Sequence, residues 1–141
     1  MPRMLVKQLA QRDTGSAVPI VERFRYAAAD YDRVEREFRG FGRVRRARMQ
    51  GEQEDSVAER SFASGPLGRA CTGSLVREEI RSGDGALLRH TVHDYDASRG
   101  QPGTDGERWE KCLRIASRTE HLEGLGEAGK RVVRSEYRWQ T

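Results

Sequence analysis

The sequence predicts an α+β domain: an antiparallel sheet, strongly curled or closed into a barrel, complete or incomplete, that carries two helices. Three observations predict it. Val18 to Tyr26 alternates, with Val18, Ile20, Glu22 and Phe24 on one face and Val21, Arg23 and Arg25 on the other. Tyr31, Val34, Phe38 and Phe41 then recur at spacings of three and four, the stripe of an amphipathic helix. Farther on, two alternating runs flank Ser82-Gly83-Asp84-Gly85, the signature of a hairpin.

Taken in order, residues 1–17 read as an N-terminal extension and 18–141 as a single domain. The turn cluster Asp13-Thr14-Gly15-Ser16 separates them. Pro19 sets the start of the first strand at an edge or rim, because it has no N–H to give a ladder. Asp30 suits the cap of the first helix, and Gly40 and Gly42 its end. Strands are expected over Val44–Gln50, which carries Arg45, Arg46 and Arg48, and over Val57–Ala63. The hairpin strands run Leu75–Arg81 and Ala86–Tyr95, and Asp96–Gly106 is a polar, glycine-rich connection. Glu107–Ile115 fits both periods and is assigned as a strand. Thr119–Ala128 reads as the second helix, and Arg131–Trp139 as the closing strand.

Composition sets bounds on function. A chain of 141 residues suits one domain. Its hydrophobic content is 35% against 34% charged residues, so the core must be thin, half polar, or finished by a partner. Arginine outnumbers lysine 23 to 3 within a net charge of +4. GC-rich coding explains much of that skew, yet guanidinium forks also favour phosphorylated ligands or RNA. Cys71 and Cys112 define neither a disulfide framework nor a zinc site, so a reducing, cytoplasmic setting is the default. The acid-free stretch Met1–Arg12 also fits an organelle-matrix presequence. No run approaches transmembrane length, so no membrane partner is expected. No P-loop pattern occurs, and His90 and His93, three apart on a strand, face opposite sides.

The order of strand, helix, glycine break and Arg-dense strand ending in Gln53-Glu54-Asp55 resembles the CYTH family. That family includes class IV adenylate cyclases, thiamine triphosphatases and related triphosphate-tunnel enzymes. Its first strand carries an ExExK motif, whose positions correspond here to Ile20, Glu22 and Phe24, so only the central glutamate is kept. Leu75–Arg81 and Leu87–Thr91 resemble its Arg-bearing strands, Arg108-Trp109-Glu110 its Arg-x-Glu strand, and Arg131–Arg138 its closing basic strand.

The resemblance implies that Glu22, Arg77, Arg81, Arg89, Arg108, Glu110 and Arg134 line a barrel that binds a triphosphate or similar phosphorylated ligand. Glu22 and Glu110 would be the metal ligands. One carboxylate between two apolar residues is a poor magnesium site, so weak magnesium binding and impaired phosphohydrolase activity are implied. Taken singly, Glu22, Arg77, Arg81, Arg108 and Glu110 fit the solvated outer face of a sheet better, and only the order of elements brings the set level with it. Two rivals stand beside this one: a non-enzymatic basic subunit on RNA or in a large assembly, and a competent small triphosphatase. The chain lacks the family's last strands, so an open C-terminal edge is expected to pair with another chain, as a homo-oligomer or within a larger assembly.

Overall fold

In the computed structural model the chain forms one eight-stranded antiparallel sheet in the order β1 to β8. Residues 5–12, 15, 18–33, 36–63, 71–102, 108–122 and 130–139 are described, with 37, 97–102 and 108–111 described by backbone alone. The strands are β1 (Gln8–Gln11), β2 (Ile20–Asp32), β3 (Glu37–Gln50), β4 (Gln53–Phe62), β5 (Leu75–Ser82), β6 (Leu87–Pro102), β7 (Arg108–His121) and β8 (Arg131–Glu136). Each strand touches only its neighbours in sequence, and β1 does not meet β8. The sheet is therefore a single-layered meander with two open edges. The expected barrel does not close.

No α-helix occurs among the described residues, which overturns the α+β expectation. Of the stripe read as the first helix, Tyr31, Phe38 and Phe41 belong to the β2–β3 hairpin, and Val34 lies outside the described residues. Tyr31 lies opposite Phe38, Phe38 packs edge-on to Phe41 at 5.2 Å, and Phe41 reaches Tyr26 at 5.0 Å. A cross-strand aromatic cluster thus produces the spacing that a helix face would. A positive φ at Arg36 (53°), inside the span expected to be helical, is incompatible with that helix. Of the second expected helix, Thr119–His121 continue β7, and 123–129 lie outside the described residues. The connection expected at 96–106 is strand as far as Pro102, while 103–106 lie outside the described residues.

The glycine-flanked hairpin forms as the alternation indicates. Ser82 N–H donates to the Ala86 carbonyl at 2.9 Å and Gly85 N–H to the Ser82 carbonyl at 3.0 Å. Gly85 takes φ +92°, where a side chain is strained. Gly83 is required for a different reason: a Cβ there would stand 2.1 Å from the Glu54 carbonyl oxygen. A tight turn at Gly51-Glu52, with Gly51 at φ +62°, joins Gln50 to its partner Gln53.

Pairing lengths are unequal, and this shapes the sheet. β1 covers β2 only over Ile20–Arg23, and β4 covers β3 only to Arg43. Residues 28–32 and 37–42 therefore form a two-stranded ribbon. Likewise β5 leaves β6 after Val92, and β8 leaves β7 after Ala116, so 95–102 and 108–114 form a second ribbon. Because alternate strands of a meander run parallel, both ribbons project from the end that also carries the β4–β5 connection.

The core is small. Among the described residues the buried apolar side chains are Ala47, Met49, Val57, Ala58, Ala63 and Cys71. Ala47, Met49 and Val57 cluster with Val21 across β2–β4.

Candidate functional site: two charged faces of one sheet

Strand register assigns every paired side chain to a face. One face carries Glu22 opposite Arg48, then Ser56 and Ser82, with Arg60 opposite Glu78 and Arg89 opposite Ile80. The other carries Arg43 opposite Ser61 and Arg77, with Glu59 opposite Glu79, His90 and Glu120 in succession. Arg81 lies on this second face opposite Val57, and Arg134 lies there opposite Arg118.

The expected site residues are thus divided. Glu22 and Arg89 share one face; Arg77, Arg81 and Arg134 share the other. Among the described residues no common cavity gathers them. Arg108 and Glu110 belong to β7, but their side chains lie outside the described residues. His90 and His93 fall on opposite faces, facing Glu120 and Ser117 respectively.

Several of the arginines are committed to carboxylates, among them Arg77, Arg81 and Arg89 of the expected site. Glu78 binds Arg60 at 2.6 Å and Arg89 at 3.2 Å. Burial disfavours its ionised form, but the hydrogen bonds and charges of the two arginines outweigh that and hold its pKa below the usual value. Glu79 is held by Arg77 at 2.5 Å and Arg81 at 3.2 Å; burial opposes ionisation there too, and the two guanidiniums again prevail. A bidentate pair joins Arg45 to Glu54 at 2.9 and 2.7 Å, raising the arginine's pKa and lowering the glutamate's, chiefly through those hydrogen bonds. Glu120 bridges Lys130 at 2.6 Å and Arg118 at 2.7 Å. Glu22 lies 3.9 Å from Arg46, its one ion pair among the described residues.

This arrangement is chemically quiet. A dip of about 260 Å³ is lined by Arg43, Glu59, Ser61, Arg77 and Glu79, so its two cations already face two anions. Among the described residues no three His, Cys, Asp or Glu side chains gather to hold a metal. His90 Nε2 and His93 Nδ1 are buried without a hydrogen-bond partner, and burial, reinforced by Arg114, lowers the His93 pKa.

One feature had no local signal in the sequence. Cys71 and Cys112, separated by 41 residues, form a disulfide with Cα atoms 4.9 Å apart. The reading that the two cysteines define no disulfide is corrected. Nothing near either residue marks the partner, because the contact arises only when β7 is laid beside β6.

The described residues thus define an all-β class: a single-layered antiparallel meander with ion-paired charges on both faces. Comparison with known proteins gives the same fold a setting. The insecticide toxin TcdB middle/N-terminal region matches residues 1–62, a little under half of the chain. Among curated proteins none matches.

The crystal structure of TcdB2-TccC3 without its hypervariable C-terminal region is similar, with TM-score 0.63 and 18% identity over 74% of this chain and 8% of that one. Intact TcdB2-TccC3 gives TM-score 0.59 at 17% identity, covering 74% and 8% of the two chains. A Tc holotoxin pore of Photorhabdus luminescens gives 0.60 at 17% identity, over 73% and 8%. The chain therefore spans about 8% of the length of these toxin chains and shares their fold over that stretch.

These likenesses overturn the CYTH resemblance. With it fall the triphosphate ligand, the impaired phosphohydrolase and the competent triphosphatase; of the rival subunit on RNA or in a large assembly, the likeness to holotoxin components agrees with the assembly and offers nothing for RNA. The misleading signal was the order of basic strands, which a long meander with cross-strand ion pairs reproduces without any tunnel.

Proposed function

We propose that this chain is a structural segment of a larger toxin assembly, a stretch of sheet that completes its buried surface against neighbouring parts of that assembly. The observation that carries this reading is the sheet itself: a single unclosed layer with two open edges, whose described core is confined to a few small side chains.

Apolar groups left in water support the same reading. Leu5, Val6, Leu9, Val18 and Ile20 are exposed at the β1 edge, and Val132, Val133 and Trp139 at the β8 edge. A cleft of about 470 Å³ between Leu5, Phe24, Tyr26 and Phe41 is also uncovered. Sheet edges and apolar faces of this kind are stable when another layer or strand covers them. The neighbours are components of Tc toxins, which supplies the kind of assembly.

Light scattering and a hydrophobic dye test the proposal. The purified chain is expected to self-associate and to bind anilinonaphthalene sulfonate in its folded state, and embedding it in the longer toxin polypeptide should quench that binding. A dye-silent monomer with the hydrodynamic radius of a compact 16.0 kDa protein would overturn it.

A further inference from the structure

We propose that the Cys71–Cys112 disulfide is a redox-sensitive latch: intact, it fastens the β6–β7 ribbon to the sheet, and a dithiol reductant releases the ribbon while β2–β4 stay folded. This inference is independent of the toxin assignment and rests on the placement of the bond.

Cys71 lies in the β4–β5 connection, in a turn closed by Ser74 N–H to the Cys71 carbonyl at 3.0 Å. That turn is tied to the end of β4 by Ala63 N–H to Ser74 at 2.8 Å and Gly73 N–H to Ala63 at 3.0 Å. Cys112 lies in β7 opposite Ala97, within the two-stranded ribbon and beyond the last β5–β6 pair. The bond therefore steps over β6 and joins elements that the ladder never connects.

The ribbon needs such a fastening. An isolated two-stranded hairpin is marginal in water. Among the described residues, its anchors besides the disulfide are few. The Tyr95 hydroxyl donates to the Leu75 carbonyl at 2.7 Å, and the Ser74 hydroxyl lies 3.7 Å from Cys112 Sγ, beside the disulfide itself. After β8, Tyr137 N–H donates to Ile115 at 2.8 Å, the Trp139 indole to Arg114 at 2.9 Å, and the Arg114 guanidinium lies 4.8 Å over the Tyr137 ring. Apart from the Ser74 contact, these hold only the ribbon's base. The cluster of Ala47, Met49, Val57 and Val21 lies on other strands and does not depend on the bond.

The chemistry is thiol–disulfide exchange. Cys71 is fully buried and Cys112 is only half-buried, so the reductant's thiolate attacks Cys112 Sγ. The S–S bond breaks, and Cys71 leaves as a thiolate that takes up a proton. The reductant's second thiol then displaces Cys112 and becomes a disulfide itself. Two electrons and two protons pass to the pair.

Hydrogen-exchange mass spectrometry on the full chain tests the latch, comparing oxidised protein with protein reduced by dithiothreitol and alkylated. The double variant Cys71→Ser/Cys112→Ser serves as a second route to the open state. Exchange in 71–75, 95–102 and 108–115 is expected to accelerate at least about tenfold in both open forms, with 43–50 and 56–61 unchanged. Unchanged ribbon exchange, loss of protection across the whole sheet, or free thiols in protein prepared under oxidising conditions would each overturn the proposal.

Discussion

Glu79 stands directly opposite Glu59 across the β4–β5 pair. Like charges in that position repel, and the sheet tolerates them because Arg77 and Arg81 clamp Glu79 while Arg43 lies 3.6 Å from Glu59. The two carboxylates are unequal. Glu79 is the hub of a three-residue network, and Glu59 is a rim partner.

Substitution should expose that difference. Glu79→Gln leaves two guanidiniums without their carboxylate and is expected to cost about 1–2 kcal/mol. Glu59→Gln removes the repulsion and should stay within about 0.5 kcal/mol of the parent. Urea midpoints of the two variants measured side by side check this, and equal losses would refute the ranking.

Acid should loosen the fold in two stages. The folded His93 pKa lies below its ordinary value, so the stability it contributes is complete above the ordinary histidine pKa and falls as pH drops through the folded value. Glu78 and Glu79 also have depressed folded pKa values, so their contribution is present above the ordinary carboxylate range and is lost below it. Denaturation midpoints taken from neutral pH downward should show a shallow fall near the histidine range and a steeper one in the carboxylate range. His93→Gln should remove the first stage alone.

The β5–β6 turn tolerates no side chain at its first glycine. Gly83→Ala places a Cβ against the Glu54 carbonyl, backbone against backbone, so the turn must shift away from β4. A loss of roughly 1–3 kcal/mol is expected. Thermal unfolding of Gly83→Ala, with Ser82→Ala as the comparison, measures it.

The sequence was legible where local chemistry decides structure. Alternation around the Gly-Asp-Gly turn located β5 and β6, and alternation in β2 assigned Glu22 and Arg23 to opposite faces. The ribbon at 28–42 was misread because Tyr31, Val34, Phe38 and Phe41 satisfy a helical period. The positive φ values at Ala28 and Arg36 fall on residues that advertise nothing. Closure was illegible because it depends on whether β1 meets β8, at opposite ends of the chain. The site failed for a related reason: whether Arg77 shares a face with Glu22 is set by turn lengths and by irregularities such as the one at Arg48/Met49, and one residue of slip inverts the answer.

The meander also fixes how the domain responds to force. Its first and last strands occupy opposite edges, so tension applied between them pulls across the strands and opens the ladders one after another, like a zip. Such peeling meets little resistance, with one exception. The 41-residue separation between Cys71 and Cys112 is closed by a covalent bond, which withholds a contour of about 140 Å from extension. Single-molecule stretching of the oxidised chain should end short by that length and recover it when a reductant is added.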